Sequence, residues 1–287
     1  MASHALILIF IFSFSLITLI PLVNFPSLSR SFTHFSLISS QMARTKNPNS
    51  RKGKKPASLS NPPSPSLPQV HLFNNDAQKE RYFTFFDSWE VLEGRFLDLD
   101  FLTSIYFPYI TTFEEFGWLN FLKIHRCIYE DVVKAFYSNA NDIFHKRKSS
   151  ERFKTNIGST SLEVNTILIH NRWGIPLRGE NFSSWTQDFV KACQEVYEDD
   201  TITTRIKNTT RMSLNTRILH LICCKMLVPR HGSFASISNV DLWLMQCIMA
   251  KRRPNLCILL INQMIDSFSR KNRTLPYGMA ISDLLDK

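Results

Sequence analysis

Residues 42–68, MARTKNPNSRKGKKPASLSNPPSPSLP, hold six cations, six prolines and no acid. Such a stretch cannot bury enough apolar surface to offset the entropy lost on folding, and its prolines lack the N–H that a helix interior needs. It is expected to be a disordered linker reaching to about residue 75, which confines any sizeable core to the chain beyond it. Three segments follow: a hydrophobic leader over residues 1–41, the basic linker over 42–75, and one body over 76–287.

The charge divides in the same way. The formal net charge is +10; Arg30 alone is charged in the leader, and Arg44, Lys46, Arg51, Lys52, Lys54 and Lys55 lie in the linker, so the body carries only about +3. A nearly neutral body is not, by composition, a nucleic-acid-binding surface. The chain has 8 glycines against 23 phenylalanines, few for the glycine-rich loops that cradle phosphates in nucleotide enzymes. The cluster Arg51, Lys52, Lys54 and Lys55 has the composition of a short nuclear-import signal, and the same charges suit weak, sequence-independent contact with nucleic-acid phosphates. The bland alternative is a solvated basic tail.

Residues 5–20 are uncharged and end before Pro21, a length that suits a signal-peptide core or a short membrane anchor better than a full bilayer span. No Lys or Arg precedes the apolar run, and the Phe-, Ser-, Leu- and Ile-rich composition up to Met42 also fits an untranslated leader read as protein. Both readings stand. A start at Met42 implies a nuclear or cytoplasmic protein; a genuine leader implies the ER membrane or secretion, and makes the sequons at Asn181, Asn208 and Asn272 live acceptors.

The body is expected to be mainly α, an irregular multi-helix domain with one small β-hairpin. Val132, Val133, Phe136 and Tyr137 place apolar groups on one face of a helix over 129–140. Residues 152–164 alternate instead, with Gly158-Ser159 between Ile157 and Leu162, which predicts the hairpin. Helical spacing resumes over 184–197 and over 213–227, with Ser213 as N-cap and Pro229 as the stop. Three further helices are expected over 240–251, 256–268 and 277–285, punctuated by Pro254 and Pro276.

Residue patterns that carry chemistry are sparse. The six cysteines form no C-x-x-C pair and sit in apolar helical stretches, which favours buried thiols over a zinc site. His125, His145, His170 and His220 have no metal-ligand spacing, and no G-x-S-x-G elbow is present. Tyr197-Glu198-Asp199-Asp200 matches the Tyr-x-Asp-Asp pattern of reverse transcriptases, whose two carboxylates hold catalytic magnesium. Here it ends a helical pattern rather than sitting in a hairpin, so an acidic helix end is expected and a remnant polymerase is the lesser alternative. No enzyme activity, metal or cofactor is expected.

Several segments in order resemble one family, the plant transposon protein domain, which occurs in many copies in plant genomes beside retroelement sequences. They are Arg95-Phe96-Leu97-Asp98-Leu99; Gly117-Trp118; Val132-Val133-Lys134-Ala135-Phe136-Tyr137-Ser138-Asn139; the hairpin; Gly174-Ile175-Pro176; Arg217-Ile218-Leu219-His220; Leu227-Val228-Pro229-Arg230-His231-Gly232; and Leu275-Pro276-Tyr277-Gly278-Met279. The resemblance covers about 76–287 and departs between Phe182 and Met212. It implies a retroelement origin and a structural signature of Trp118, Phe136, Tyr137, Asn139, Pro229, Pro276, Tyr277 and Gly278, and it carries over no catalytic residue or cofactor. In that signature Phe136 should be core, while Tyr137 and Asn139 could satisfy buried backbone groups. Trp118, Trp173, Trp185 and Trp243 are expected to anchor the core.

Mass spectrometry of the native N-terminus separates the two readings of the leader. A first residue at Met42 discards it, whereas a terminus just after the apolar run marks signal cleavage and retention of Met1 marks an anchor.

Overall fold

In a computed structural model of the chain, the described residues are 72–141, 151–232, 234–269 and 274–286. All belong to the second of two units, Pro68–Lys287. The leader, the run over 5–20 and the basic cluster 51–55 lie outside them. Among the described residues there are eleven α-helices and two two-stranded sheets, the mainly helical architecture that the periodicity predicts. None of these helices is long and apolar enough to cross a membrane.

The first layer is aromatic. Helix α1 (Asp76–Arg81) starts where the Asn75 side chain accepts from Gln78 N, and it runs directly into a π-helical turn, Tyr82–Phe86. Tyr82 and Phe86 are buried, with Phe86 tilted against Trp89 at 4.4 Å between ring centroids. Strand β1 (Glu90–Val91) follows, then α2 (Leu99–Ser104), α3 (Ile110–Glu115) and α4 (Leu119–Leu122). Gly117, at φ +70, turns the chain between α3 and α4 and lets Trp118 enter the core, fully buried between Phe113 and Phe116.

Helix α5 (Glu130–Ser138) carries the predicted apolar face. Val133, Ala135, Phe136 and Tyr137 are buried, and Val132 sits at its edge. The hairpin forms as the alternation requires: β2 (Arg152–Ile157) pairs antiparallel with β3 (Thr160–Asn165), Ile157 opposite Thr160 across a turn containing Gly158 at φ +53. Phe153, Thr155 and Val164 point inward. Asn165 ends the strand and begins α6 (Thr166–Trp173), its side chain accepting from Leu168 N, and Gly174 closes that helix in the left-handed conformation.

The helix expected over 184–197 is shorter than its pattern. Residues 182–184 form a 3-10 turn, Gln187 has φ +57, and α7 runs only over Phe189–Tyr197. Asp188 is the reason: its side chain accepts from Lys191 N and sets the N-terminus there. Trp185 is accordingly half-buried rather than a core anchor, with its indole N–H donated to Gln246. Trp118, Trp173 and Trp243 are buried as expected.

Ser213 caps α8 (Leu214–Ile222), which widens into a second π-helical turn, Cys223–Leu227, before Pro229. Helix α9 (Asn239–Met249) begins with a full capping box between Ser238 and Asp241, and α10 (Leu256–Ser269) packs on α5, α6 and both hairpin strands. Strand β4 (Thr274–Leu275) then pairs parallel with β1, and α11 (Gly278–Leu285) closes the body. This two-residue parallel pairing was invisible to periodicity, since neither strand is long enough to alternate.

The Gly278 position tests how tightly that closure is built. A Cβ there would lie 2.8 Å from Val91 Cγ1 and 3.0 Å from Ile128 Cγ2. Gly278→Ala is expected to destabilise the protein by about 1–3 kcal/mol through overpacking, read as a lowered urea midpoint with an unchanged m-value.

Candidate binding cleft

Two signature tyrosines meet at the C-terminal segment, and the hydroxyls of Tyr137 and Tyr277 and the amide of Asn139 take up backbone carbonyls, whereas the buried Trp118 indole N–H has no partner. Tyr137, fully buried on α5, donates its hydroxyl to Pro276 O at 2.9 Å. Tyr277, held at φ +59, donates to Leu227 O at 2.7 Å. Burial pushes both phenols well above their ordinary range, with Tyr277 adding to the effect on Tyr137. Asn139 donates from Nδ2 to Asn156 O at 2.8 Å and to Leu72 O at 3.2 Å. Tyr137 thus serves a buried backbone group as expected, while the carbonyls that Asn139 reaches are half-buried. Phe136 packs edge-on to Phe153, and its carbonyl accepts from Thr155 Oγ1 at 2.7 Å.

Beside this cluster lies an open cleft of about 220 Å³. One wall is Glu90, Leu92, Glu93 and Arg95, from β1 and the chain after it. The other is Cys224, Lys225, Pro229, Arg230, His231 and Phe234, from the second π-turn and the segment following it. A narrower hollow of about 40 Å³ continues from it past Gly94, Phe121, Tyr277, Gly278 and Met279; Leu92, Arg95, Lys225 and Pro229 line both. Pro229 thus lines the cleft and Tyr277 and Gly278 the hollow that continues from it, while Trp118, Phe136, Tyr137 and Asn139 belong to the surrounding body.

The charges in the cleft are individually placed. Arg95 holds Glu93 at 2.5 Å. The Lys225 ammonium lies 3.5 Å from the centre of the Phe234 ring, and burial together with the Arg95 guanidinium lowers it from its ordinary range. Arg230 reaches inward from the cleft wall to Asp241 at 2.5 Å and to Ser236 O at 2.7 Å. Asp241 is completely buried on α9 and also accepts from Ser238 N at 2.8 Å. Burial would raise its carboxyl, but His220, Arg230 and Ser238 outweigh burial and hold it below its ordinary value. His220 Nε2 stands 3.7 Å off, beyond hydrogen-bond reach, so Arg230 makes the direct contact.

Nucleophilic chemistry has little support here. Cys224 touches the cleft, but burial pushes its thiol up to about 12, leaving it protonated near neutrality. Cys193, Cys223, Cys247 and Cys257 are buried as expected, and Cys127 is exposed. His170 donates from Nδ1 to Ile175 O and His125 stacks on Phe96, while His145 lies outside the described residues. No group of acidic, histidine or cysteine side chains among the described residues could hold a metal ion.

The Tyr197–Asp200 tetrad is a helix end. Tyr197 closes α7 with its hydroxyl on Asn208 O, and Glu198 follows at φ +53. The Asp199 carboxylate is taken up by Thr201 N at 3.0 Å, by the Thr201 hydroxyl and by Arg211. No strand carries the tetrad.

The cleft residues Arg95, Lys225 and Phe234, and Asp241 behind the wall, were not singled out as a site from sequence. Arg95 and Arg230 fall inside family-like segments, and Ser238-x-x-Asp241 is readable as a capping box, but nothing local marks Lys225 or Phe234.

The family model for the "Putative plant retrotransposon-related domain" matches residues 114–287, more than half of the chain. The chain belongs to that family. The match takes in every signature residue from Trp118 onward and one wall of the cleft; β1 and Arg95 precede it. No curated protein and no solved structure matches the chain.

Removing Arg230 leaves the Asp241 charge buried without its partner. Arg230→Met is expected to cost about 3 kcal/mol, measured by denaturant unfolding. The depressed carboxyl also sets a pH dependence. Its contribution is fully present above the unfolded carboxylate value of 3.8 and is lost as pH falls through the lower folded value. Thermal melts should therefore show the cost of Arg230→Met at neutral pH and a narrowing gap to the parent in acid.

Proposed function

We propose that this retroelement-derived domain works by binding rather than by catalysis, and that the basic segment at Arg51, Lys52, Lys54 and Lys55 serves nuclear import or weak contact with nucleic-acid phosphates. The observation that carries the first part is how the signature's polar atoms are used. Tyr137 and Tyr277 donate to buried carbonyls and Asn139 to half-buried ones. A signature spent on backbone satisfaction maintains a shape, and a shape with an open cleft is what a binding domain presents.

The second part rests on where the charge lies. Six cations without an acid occupy residues 42–68, and the body is left near neutrality. Contacts made by such a segment neutralise phosphates without reading bases.

The test is salt-dependent binding of the full chain to duplex DNA, beside a variant lacking residues 42–68. Six phosphate contacts predict a log–log slope near −5 and loss of binding on deletion. Equal affinity with and without the segment overturns the nucleic-acid reading. For import, replacing Arg51, Lys52, Lys54 and Lys55 together by alanine should move a reporter fusion from the nucleus to the cytoplasm, and an unchanged distribution overturns that role.

A further inference from the structure

We propose that the cleft between β1 and the second π-turn binds a carboxylate carried on a small apolar body, with Lys225 and Arg95 as the pair that holds the anion. The inference rests on the reading of the body as a binding domain and is independent of the basic segment.

The structure contains a stand-in for the ligand. Arg95 already grips a carboxylate, that of Glu93, at 2.5 Å. Glu93 lies two residues away with its side chain 73% exposed, whereas Arg95 is only 27% exposed. An exposed ion pair of this kind contributes little on its own, so an incoming carboxylate can replace Glu93 at low cost. The acid group marks both the position and the chemistry of the anion the site accepts.

Lys225 supplies the second cation. Its ammonium leans on the Phe234 ring, and among the described residues no carboxylate reaches it at ion-pair distance. Arg95 lines the same two hollows and its charge disfavours the lysine's, an effect that Glu93, the acid now on Arg95, partly offsets. Two partly desolvated cations facing one space repel each other, and an anion between them relieves that repulsion. Arg230 is not free to join them, since Asp241 and Ser236 O hold it. Its part is to fix the wall.

The remaining surface selects the rest of the ligand. Leu92 and Pro229 lead into the hollow floored by Phe121, Tyr277 and Met279, an apolar path beginning at the cations. The cleft's 220 Å³ is below the roughly 300 Å³ at which pockets for drug-sized ligands begin, which suits a small acid or the end of a chain. Glu90 and Glu93 on the rim would repel a second negative group. A monocarboxylate is therefore favoured over a polyanion such as nucleic acid.

The experiment is calorimetric titration of the full chain with phenylacetate and with phenylacetamide. In parallel, acetyl-Ala-Phe-Leu is titrated with a free and with an amidated C-terminus, which distinguishes a free acid from a peptide end. The carboxylate form of at least one pair should bind at least about tenfold more tightly than its amide. Lys225→Met should lose a similar factor, and Glu93→Gln, an exposed substitution that cannot unfold the body, should tighten binding several-fold by removing the internal competitor. Equal binding of acid and amide, an unchanged affinity in Lys225→Met, weaker binding in Glu93→Gln, or no binding of any probe overturns the proposal. Deleting residues 42–68 should leave phenylacetate affinity unchanged, so loss of DNA binding alone reports on the segment and loss of phenylacetate binding alone on the cleft.

Discussion

The C-terminal segment Thr274–Gly278 is held inside the body by two tyrosine hydroxyls, and most of the architecture depends on that attachment. Its pairing with β1 spans two residues, too little to persist without support. Tyr137 reaches it from α5 at Pro276, and Tyr277 reaches out of it to Leu227 at the end of the second π-turn. Pro276 lies outside the helices and Leu227 is the last residue of the π-turn, so a buried oxygen left there without a donor would cost the full desolvation of that group. A phenol is long enough to supply the donor from the core while filling space with its ring. The same segment then delivers α11, whose Asp283 gathers Arg126, Arg172 and Trp173.

The cleft owes its shape to the same closure. One wall continues from β1, which β4 holds in place, and the floor contains Tyr277 and Gly278 themselves. The opposite wall is fixed from behind, because Arg230 is anchored to a carboxylate buried at the start of α9. A surface loop after a helix is ordinarily mobile; this one is tied to the core through a charge that cannot be left unpaired. Walls anchored to the core, with the exposed Glu93 on Arg95, are the combination on which the binding proposal rests.

Much of the body was legible because its signals are local. Ser213 caps its helix by an oxygen to an amide three residues on, and the hairpin follows from alternation around Gly158. The helix expected from residue 184 failed to form until Phe189, because the Asp188 cap and the positive φ of Gln187 outweigh the apolar spacing of Trp185. Tyr137 and Asn139 were expected to serve buried backbone groups, yet which carbonyls they reach is not a property of their neighbours in the chain. Pro276 is 139 residues from Tyr137.

The amino-acid sequence by itself determined the helical class, the hairpin, the separation of a basic segment from a near-neutral body, and the family to which the chain belongs. Each is carried by periodicity, capping, composition or ordered short segments, all within reach of a few turns of chain. Tertiary structure alone decided the parallel β1–β4 pair, the burial of Asp241 against Arg230, and the meeting of Arg95 with Lys225. The physical reason is that the first and last of these join segments more than a hundred residues apart, and the Arg230–Asp241 pair closes across a loop whose path is set by the core it packs on, so their geometry depends on how the intervening elements pack rather than on any spacing that the chain itself displays.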